Sequence, residues 1–419
     1  MTQLNGTDRV DRTIRDDGFR VVSEQIKTVR SISLGVWVKT GSRHETDDLA
    51  GITHFLEHML FKGTEKRSAF DIALSMEAVG GYLNAFTSNE YTCYYTRCLD
   101  TELELAFDVL ADMVLHSTFQ PEEMEKEKKV VIEEMKMYRD SPDDFVFEAF
   151  TSHLFNQHPL GRPIIGYEST VSAFTREDLQ KYVHDRYNPA NILISVAGNI
   201  EHDRVVQLAD TYFSFVKNGD TEAISVPLTP YNPARKELKK QIEQTHYIIG
   251  KRSIGNSDEN RFKLLLANTV LGGGMSSRLH QNIREKFGYC YSINSFNHSF
   301  IDTGMFGVYT GTDAGYVDHV RELVFAEFDK LRTDLIPDKE LSEAKSQLKG
   351  KMLLAQESMS NRMMRLAKSE IYYDRFVTLD ELVHNIDTVT AEDIRTFSSE
   401  FFKADDFSET VLLPENKTT

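Results

Sequence analysis

Only three cysteines, Cys93, Cys98 and Cys290, occur in 419 residues. They are too few and too scattered for a disulfide framework, and too few for a cysteine-rich zinc site. They read as reduced thiols of a cytoplasmic-type compartment. No apolar run approaches the ~20 residues that span a bilayer. The opening M-T-Q-L-N-G-T-D-R-V-D-R has no apolar core and carries acids early, unlike a secretory or transit segment. The expectation is a cytoplasmic chain, or one of the mitochondrial matrix if a presequence has been removed. Positive charge is in deficit: 48 Lys and Arg against 65 Asp and Glu give a net charge of −17. That balance disfavours nucleic acid and anionic membrane as partners and leaves basic peptides compatible. No G-x-G-x-x-G is present, so nucleotide binding has no support.

What is present suits a soluble globular protein, with 40% hydrophobic and 27% charged residues. A single core stops growing at roughly 250–300 residues, so at least two domains are expected. Residues 19–38 read as two strands with a turn near Lys27. Leu49, Ile52, Phe55, Leu56, Met59 and Leu60 recur at helical spacing over 49–61. A short helix follows from Ser68, a natural N-cap, to Val79. Residues 82–99 read as a strand pair turning at Thr87-Ser88-Asn89. Long helices are predicted over 101–116 and 121–139, the second opened by Pro121. More helix follows from about 143, and a buried strand over 191–197. Prolines and polar residues then cluster at 216–235. Beyond them the pattern repeats in outline: a strand at 245–250, a helix near 258–271, and a turn at Gly272-Gly273-Gly274. A helix at 276–287, a strand pair over 289–311 and long helices from 315 to 370 complete it. The reading is a first domain over 1–220, a linker over 221–235 and a second domain of similar design over 236–419. Both are α+β, each an antiparallel-rich sheet packed with helices.

The chemistry concentrates in H-F-L-E-H at 54–58. On a helix His54 and His58 are i and i+4, so they share a face and can bind one metal ion. Glu57 lies three residues from His54, within reach of water at that metal, where a carboxylate that is not a ligand takes a proton. The order inverts H-E-x-x-H and is itself a zinc-peptidase signature. Thirteen histidines are present, so the motif alone does not decide. A third ligand should come from another helix. The acidic segment E-K-E-K-K-V-V-I-E-E-M-K-M-Y offers Glu127, Glu133 and Glu134, and the pattern leaves these open.

Three segments together resemble a known family: H-F-L-E-H-M-L-F-K-G-T at 54–64, G-G-Y-L-N-A-F-T-S-N-E-Y-T at 80–92 and V-V-I-E-E-M at 130–135. The chain is similar, from about 18 to 400, to the inverted-motif zinc peptidases that include pitrilysin, insulin-degrading enzyme and the mitochondrial processing peptidase. The likeness is closest to the β subunit of the last and to its single-chain bacterial relatives. It implies zinc held by His54, His58 and Glu134, with Glu127 supporting a ligand histidine or the site water. It implies an endopeptidase that takes short or unfolded peptides as an added strand near Asn84 and Ala85. Arg284 and Tyr291, in R-E-K-F-G-Y-C-Y-S, would hold substrate and polarise the scissile carbonyl. Asp144 and Glu148 would bind an arginine upstream of the cut, and Phe61 a bulky residue after it. The resemblance also implies two domains facing each other across a substrate cavity. It implies a homodimer, or a heterodimer with a zinc-less homologue. Structural relatives with decayed motifs, such as core subunits of respiratory complex III, are the main rival. A metal hydrolase of another type is the second.

Overall fold

The computed structural model describes residues 9–214 and 226–415. Residues 221–225 of the expected linker lie outside them, and 226–234 carries neither helix nor strand. The described residues fall into two compact units. One is drawn from Met1–Lys136, Arg162–Val226 and Ala355–Phe376, the other from Met137–Gly161, Pro227–Leu354 and Val377–Thr419. Two segments therefore cross the 221–235 boundary, one in each direction.

The first unit is built on β1 (Arg9–Ile14), β2 (Arg20–Gln25), β3 (Ser31–Val38), β4 (Tyr82–Thr87), β5 (Thr92–Leu99) and β6 (Ile192–Gly198). Their order is β1-β2-β6-β3-β5-β4. Only β2 and β6 run parallel. β2 and β3 follow one another in sequence, yet β6 lies between them, because its uniformly buried I-L-I-S-V-A-G suits a central position. Both faces of the sheet are covered. On one face Leu34, Val36 and Ile194 join Phe55, Leu56 and Met59 of helix Ile52–Met59, together with Phe107, Leu110 and Val131 from two longer helices. On the other, Val22, Trp37 and Leu193 pack against Met363, Leu366 and Ala367 of helix Met359–Tyr373. Buried charge reinforces that helix, since Arg362 and Arg365 donate to the Glu24 carboxylate at 2.8 and 3.2 Å.

The second unit is built on β7 (Arg235–Lys240), β8 (Thr245–Ser253), β9 (Cys290–Ser299), β10 (Gly304–Thr312) and β11 (Ser408–Pro414). Their order is β7-β11-β8-β10-β9, and only β7 and β11 run parallel. Five strands of the first sheet have the same order and the same single parallel pair, so the repeat in the sequence is a repeat of topology. Alternation along β8 separates the faces. Tyr247 and Ile249 enter a core with Leu266, Phe306 and Phe328, while Ile248 meets Phe150 and Leu154 of helix Pro142–Phe155. The triple glycine ends helix Arg261–Gly272 as a helix-terminal turn. Gly272 is required there, because a Cβ would sit 2.2 Å from Ser295 N of β9.

Candidate metal centre

Helix Ile52–Met59 is short, and its orientation is fixed from outside. Gly51 caps it at φ +93°, a left-handed conformation that favours glycine. The buried Glu45 carboxylate accepts from Gly51 N at 2.8 Å and from Thr53 N at 2.9 Å, satisfying two donors of the first turn. Burial pushes Glu45 up to about 7, opposed by those hydrogen bonds and by Arg162. Thr53 is tied a second time, its hydroxyl lying 2.9 Å from Tyr182 Oη.

On this helix the His54 and His58 rings lie 4.7 Å apart, centroid to centroid. Helix Pro121–Asp140 brings Glu134 to them. Glu134 Oε2 is 3.6 Å from His58 Nε2 and 3.9 Å from His54 Nε2. All three ligand atoms lie within 4.8 Å of one another, and no other cluster among the described residues is placed to hold a metal. Zinc bonds of 2.0–2.1 Å set tetrahedral ligands about 3.4 Å apart, close to the two Glu134–imidazole distances. The donor set, two imidazoles and a carboxylate, is that of catalytic zinc sites that keep a fourth position open. Of the three acids that sequence pattern left open, Glu133 turns away and pairs with Lys136 at 2.7 Å.

Glu127 takes a different role. Its carboxylate is 4% exposed and accepts from His58 Nδ1 at 2.8 Å and from Lys62 Nζ at 2.6 Å. That bond fixes the His58 tautomer and leaves Nε2 for a metal. Burial raises the Glu127 pKa, but the His58 and Lys62 hydrogen bonds outweigh it and the net direction is down. Burial lowers His58, while Glu127, Glu134 and Glu57 more than reverse it. His54 Nδ1 has no hydrogen-bond partner among the described residues; burial, with His58 beside it, pushes His54 down to about 3, leaving a neutral imidazole. Glu57 is half-buried and its Oε2 accepts from Thr87 Oγ1 at 2.6 Å. Burial holds its carboxyl above the usual range, partly offset by Thr87 and His58.

Residues 20–168 match the family model described as Insulinase (Peptidase family M16), and residues 173–348 that described as Peptidase M16 inactive domain. An uncharacterized zinc protease of Bacillus subtilis, YmxG, is 41% identical over 396 residues, covering 94% of this chain and 96% of that protein. The chain belongs to peptidase family M16. A further relative, an uncharacterized zinc protease of Streptomyces coelicolor, is 39% identical over 93% of this chain and 87% of its own. Among solved structures, a protease from Helicobacter pylori superposes with a TM-score of 0.91 at 23% identity, covering 97% of this chain and 100% of that one. At that identity the likeness speaks for the fold alone. With M16 membership and the metal trio intact, the chain is a zinc-dependent metallopeptidase rather than a structural relative with decayed motifs.

The remaining expected site residues of this M16 peptidase divide between the units. In the first, Phe61 is partly buried against the core. Asn84 and Ala85 lie on β4, a sheet edge, where Asn84 Oδ1 accepts from Ala85 N at 2.8 Å. In the second, Asp144 is exposed and Glu148 half-buried on helix Pro142–Phe155. Burial raises the Glu148 pKa, opposed by Arg139. Arg284 sits in a π-helical turn, His280–Glu285, and its Nε donates to the Tyr291 backbone oxygen at 2.8 Å. The Tyr291 side chain is 79% exposed. Sequence reasoning missed Lys62, Thr87 and Glu45. Lys62 lies past the end of the metal helix, and its pairing with Glu127 is a tertiary contact that the linear sequence does not mark. Thr87 was assigned to a turn, yet it ends β4, and the turn is 88–91.

Proposed function

We propose that this enzyme is an endopeptidase that takes short or unfolded peptides as an added strand along β4 and cuts them at zinc held by His54, His58 and Glu134. The observation that carries the reading is the metal trio, two of its ligands on helix Ile52–Met59, which packs beside a sheet edge, and the third on helix Pro121–Asp140. Among the described residues β4 has a hydrogen-bonded neighbour on one side only, so its other side can take main-chain bonds from a peptide.

Zinc, when bound, polarises a carbonyl and lowers the pKa of a water molecule. Glu57 then takes a proton from the attacking water and passes it to the departing amine nitrogen. Burial raises its pKa above the usual carboxylate range, the direction that favours taking up a proton. Glu127, braced by Lys62, keeps His58 in one tautomer. Arg284 and Tyr291 hold the peptide and meet the negative charge that develops on the carbonyl oxygen. Asp144 and Glu148, one helical turn apart, offer a guanidinium two carboxylates, which favours arginine two residues before the cut. Phe61 favours a bulky residue just after it. We also propose that the chain pairs with a second copy of itself and acts in the cytoplasm.

Glu57→Gln is nearly isosteric and cannot accept the proton. It is expected to keep zinc and peptide binding while turnover falls by roughly 10²–10⁴-fold; near-normal turnover removes Glu57 from the mechanism. A peptide series varying the two flanking positions, repeated with Asp144→Asn and Glu148→Gln, reads the specificity. An arginine preference that is absent, or unchanged in both variants, assigns the specificity elsewhere.

A further inference from the structure

The Glu57 carboxylate is tethered at one of its two oxygens. Oε2 accepts the Thr87 hydroxyl at 2.6 Å, and Glu57 is that hydroxyl's one hydrogen-bond partner among the described residues. Thr87 is the last residue of β4, paired with Thr92 of β5. By strand alternation it shares a face with Leu83 and Ala85, which pack on the same apolar cluster as Phe55, Leu56 and Met59 of the metal helix. The strand end is held firmly. Ser88 N donates to Tyr91 O at 2.9 Å, Ser42 N to Ser88 O at 3.3 Å and Arg43 N to Asn89 O at 2.8 Å. The Arg43 guanidinium pairs with the buried Glu90 carboxylate at 2.8 Å. Thr87 therefore presents its hydroxyl from a fixed point to a side chain that otherwise has three rotatable bonds.

We propose that Thr87 is a positioning residue for the proton transfer. Its hydroxyl commits Oε2 of Glu57 and leaves Oε1 as the atom that takes the proton from water and releases it to the leaving amine nitrogen. Because Thr87 ends the strand on which the peptide is proposed to add, substrate backbone and base are aligned by one rigid element. The inference rests on the reading of Glu57 as the general base.

The test compares Thr87→Val, which keeps the shape and removes the hydroxyl, with Thr87→Ser, which keeps the hydroxyl. Each is made with and without Glu57→Gln, and kcat, KM and zinc content are measured on the full chain. Thr87→Val is expected to keep its zinc and a KM within about threefold of the parent, while kcat falls roughly 10–100-fold, as a misplaced catalytic group does. Thr87→Ser should recover most of that loss, and Thr87→Val should add nothing to Glu57→Gln, since the two act as one unit. An unchanged kcat overturns the proposal. So does a loss confined to KM, which would make Thr87 a peptide contact, and so does a serine variant as slow as valine, which would make it a packing residue. Should valine unfold the strand end, Thr87→Ala against Thr87→Ser gives the same comparison. Full turnover in Glu57→Gln alone would refute the base itself; loss there with none in Thr87→Val would refute only the tether.

Discussion

His58 carries two tasks through two ring nitrogens, and a single substitution separates its site from every other metal reading. His58→Ala removes one of three ligands and breaks the contact to Glu127 at once. Zinc in the purified variant should fall from about one per chain to a trace, with activity lost; full zinc in the variant would discard the trio. The ligands were legible because their spacing is a property of one helix, and because Glu134 is placed by the resemblance rather than by pattern. Lys62 and Thr87 were not legible in the same way. Each matters through a partner distant in sequence, Glu127 for one and Glu57 for the other, and nothing in a linear pattern reports such a pairing. The thirty residues from Glu57 to Thr87 close only when β4 meets the metal helix.

Single helices are held here by single carboxylates. Glu45 spans the first turn of the metal helix, and its pKa of about 7 stands above the ordinary 4.5 because it is buried. The folded chain thus binds a proton that the unfolded chain releases. Glu45 contributes its full share of stability below about pH 4.5 and loses it as pH rises through about 7. Chelated protein should lose melting temperature over that window, and Glu45→Gln should flatten the loss. An equal slope in the variant would assign it to other groups. Glu24 holds helix Met359–Tyr373 through two guanidiniums. Breaking such a buried pairing costs about 3–5 kcal/mol, so Glu24→Ala should lower the urea midpoint accordingly without changing the metal ligands. Most elements were readable from periodicity, including the Ser68 cap, whose hydroxyl accepts from Asp71 N at 3.2 Å. β1 and β7 were not. R-V-D-R-T-I and R-K-E-L-K-K lie at sheet edges, largely exposed, so no apolar alternation marks them. Charge on an edge is what keeps it from pairing with other chains.

The molecule as a whole depends on its metal for activity, so dialysis against a chelator should abolish cleavage and zinc should restore it. Added zinc should also raise the melting temperature, because a ligand that binds only the folded state stabilises it. Activity that survives full chelation would refute a metallopeptidase. Light scattering at twice the chain mass would support pairing with a second copy; a chain mass held across concentration would refute it. The doubling of topology was legible as a repeated order of strands and helices, whereas the crossing of the boundary by two helices was not. Helical periodicity reports that Met363, Leu366 and Val146 face something apolar, but not which sheet supplies it.

That crossing sets a schedule for making the protein. Residues 359–373 are translated more than 150 positions after β6, yet they cover Val22, Trp37 and Leu193. Until they leave the ribosome, the first sheet carries a naked apolar face with an indole at its centre. The N-terminal half is therefore a nascent chain that waits, with a surface a chaperone or another such chain can bind. A fragment stopped at the linker should be recovered in inclusion bodies, and the missing helix supplied as a separate chain should return it to solution.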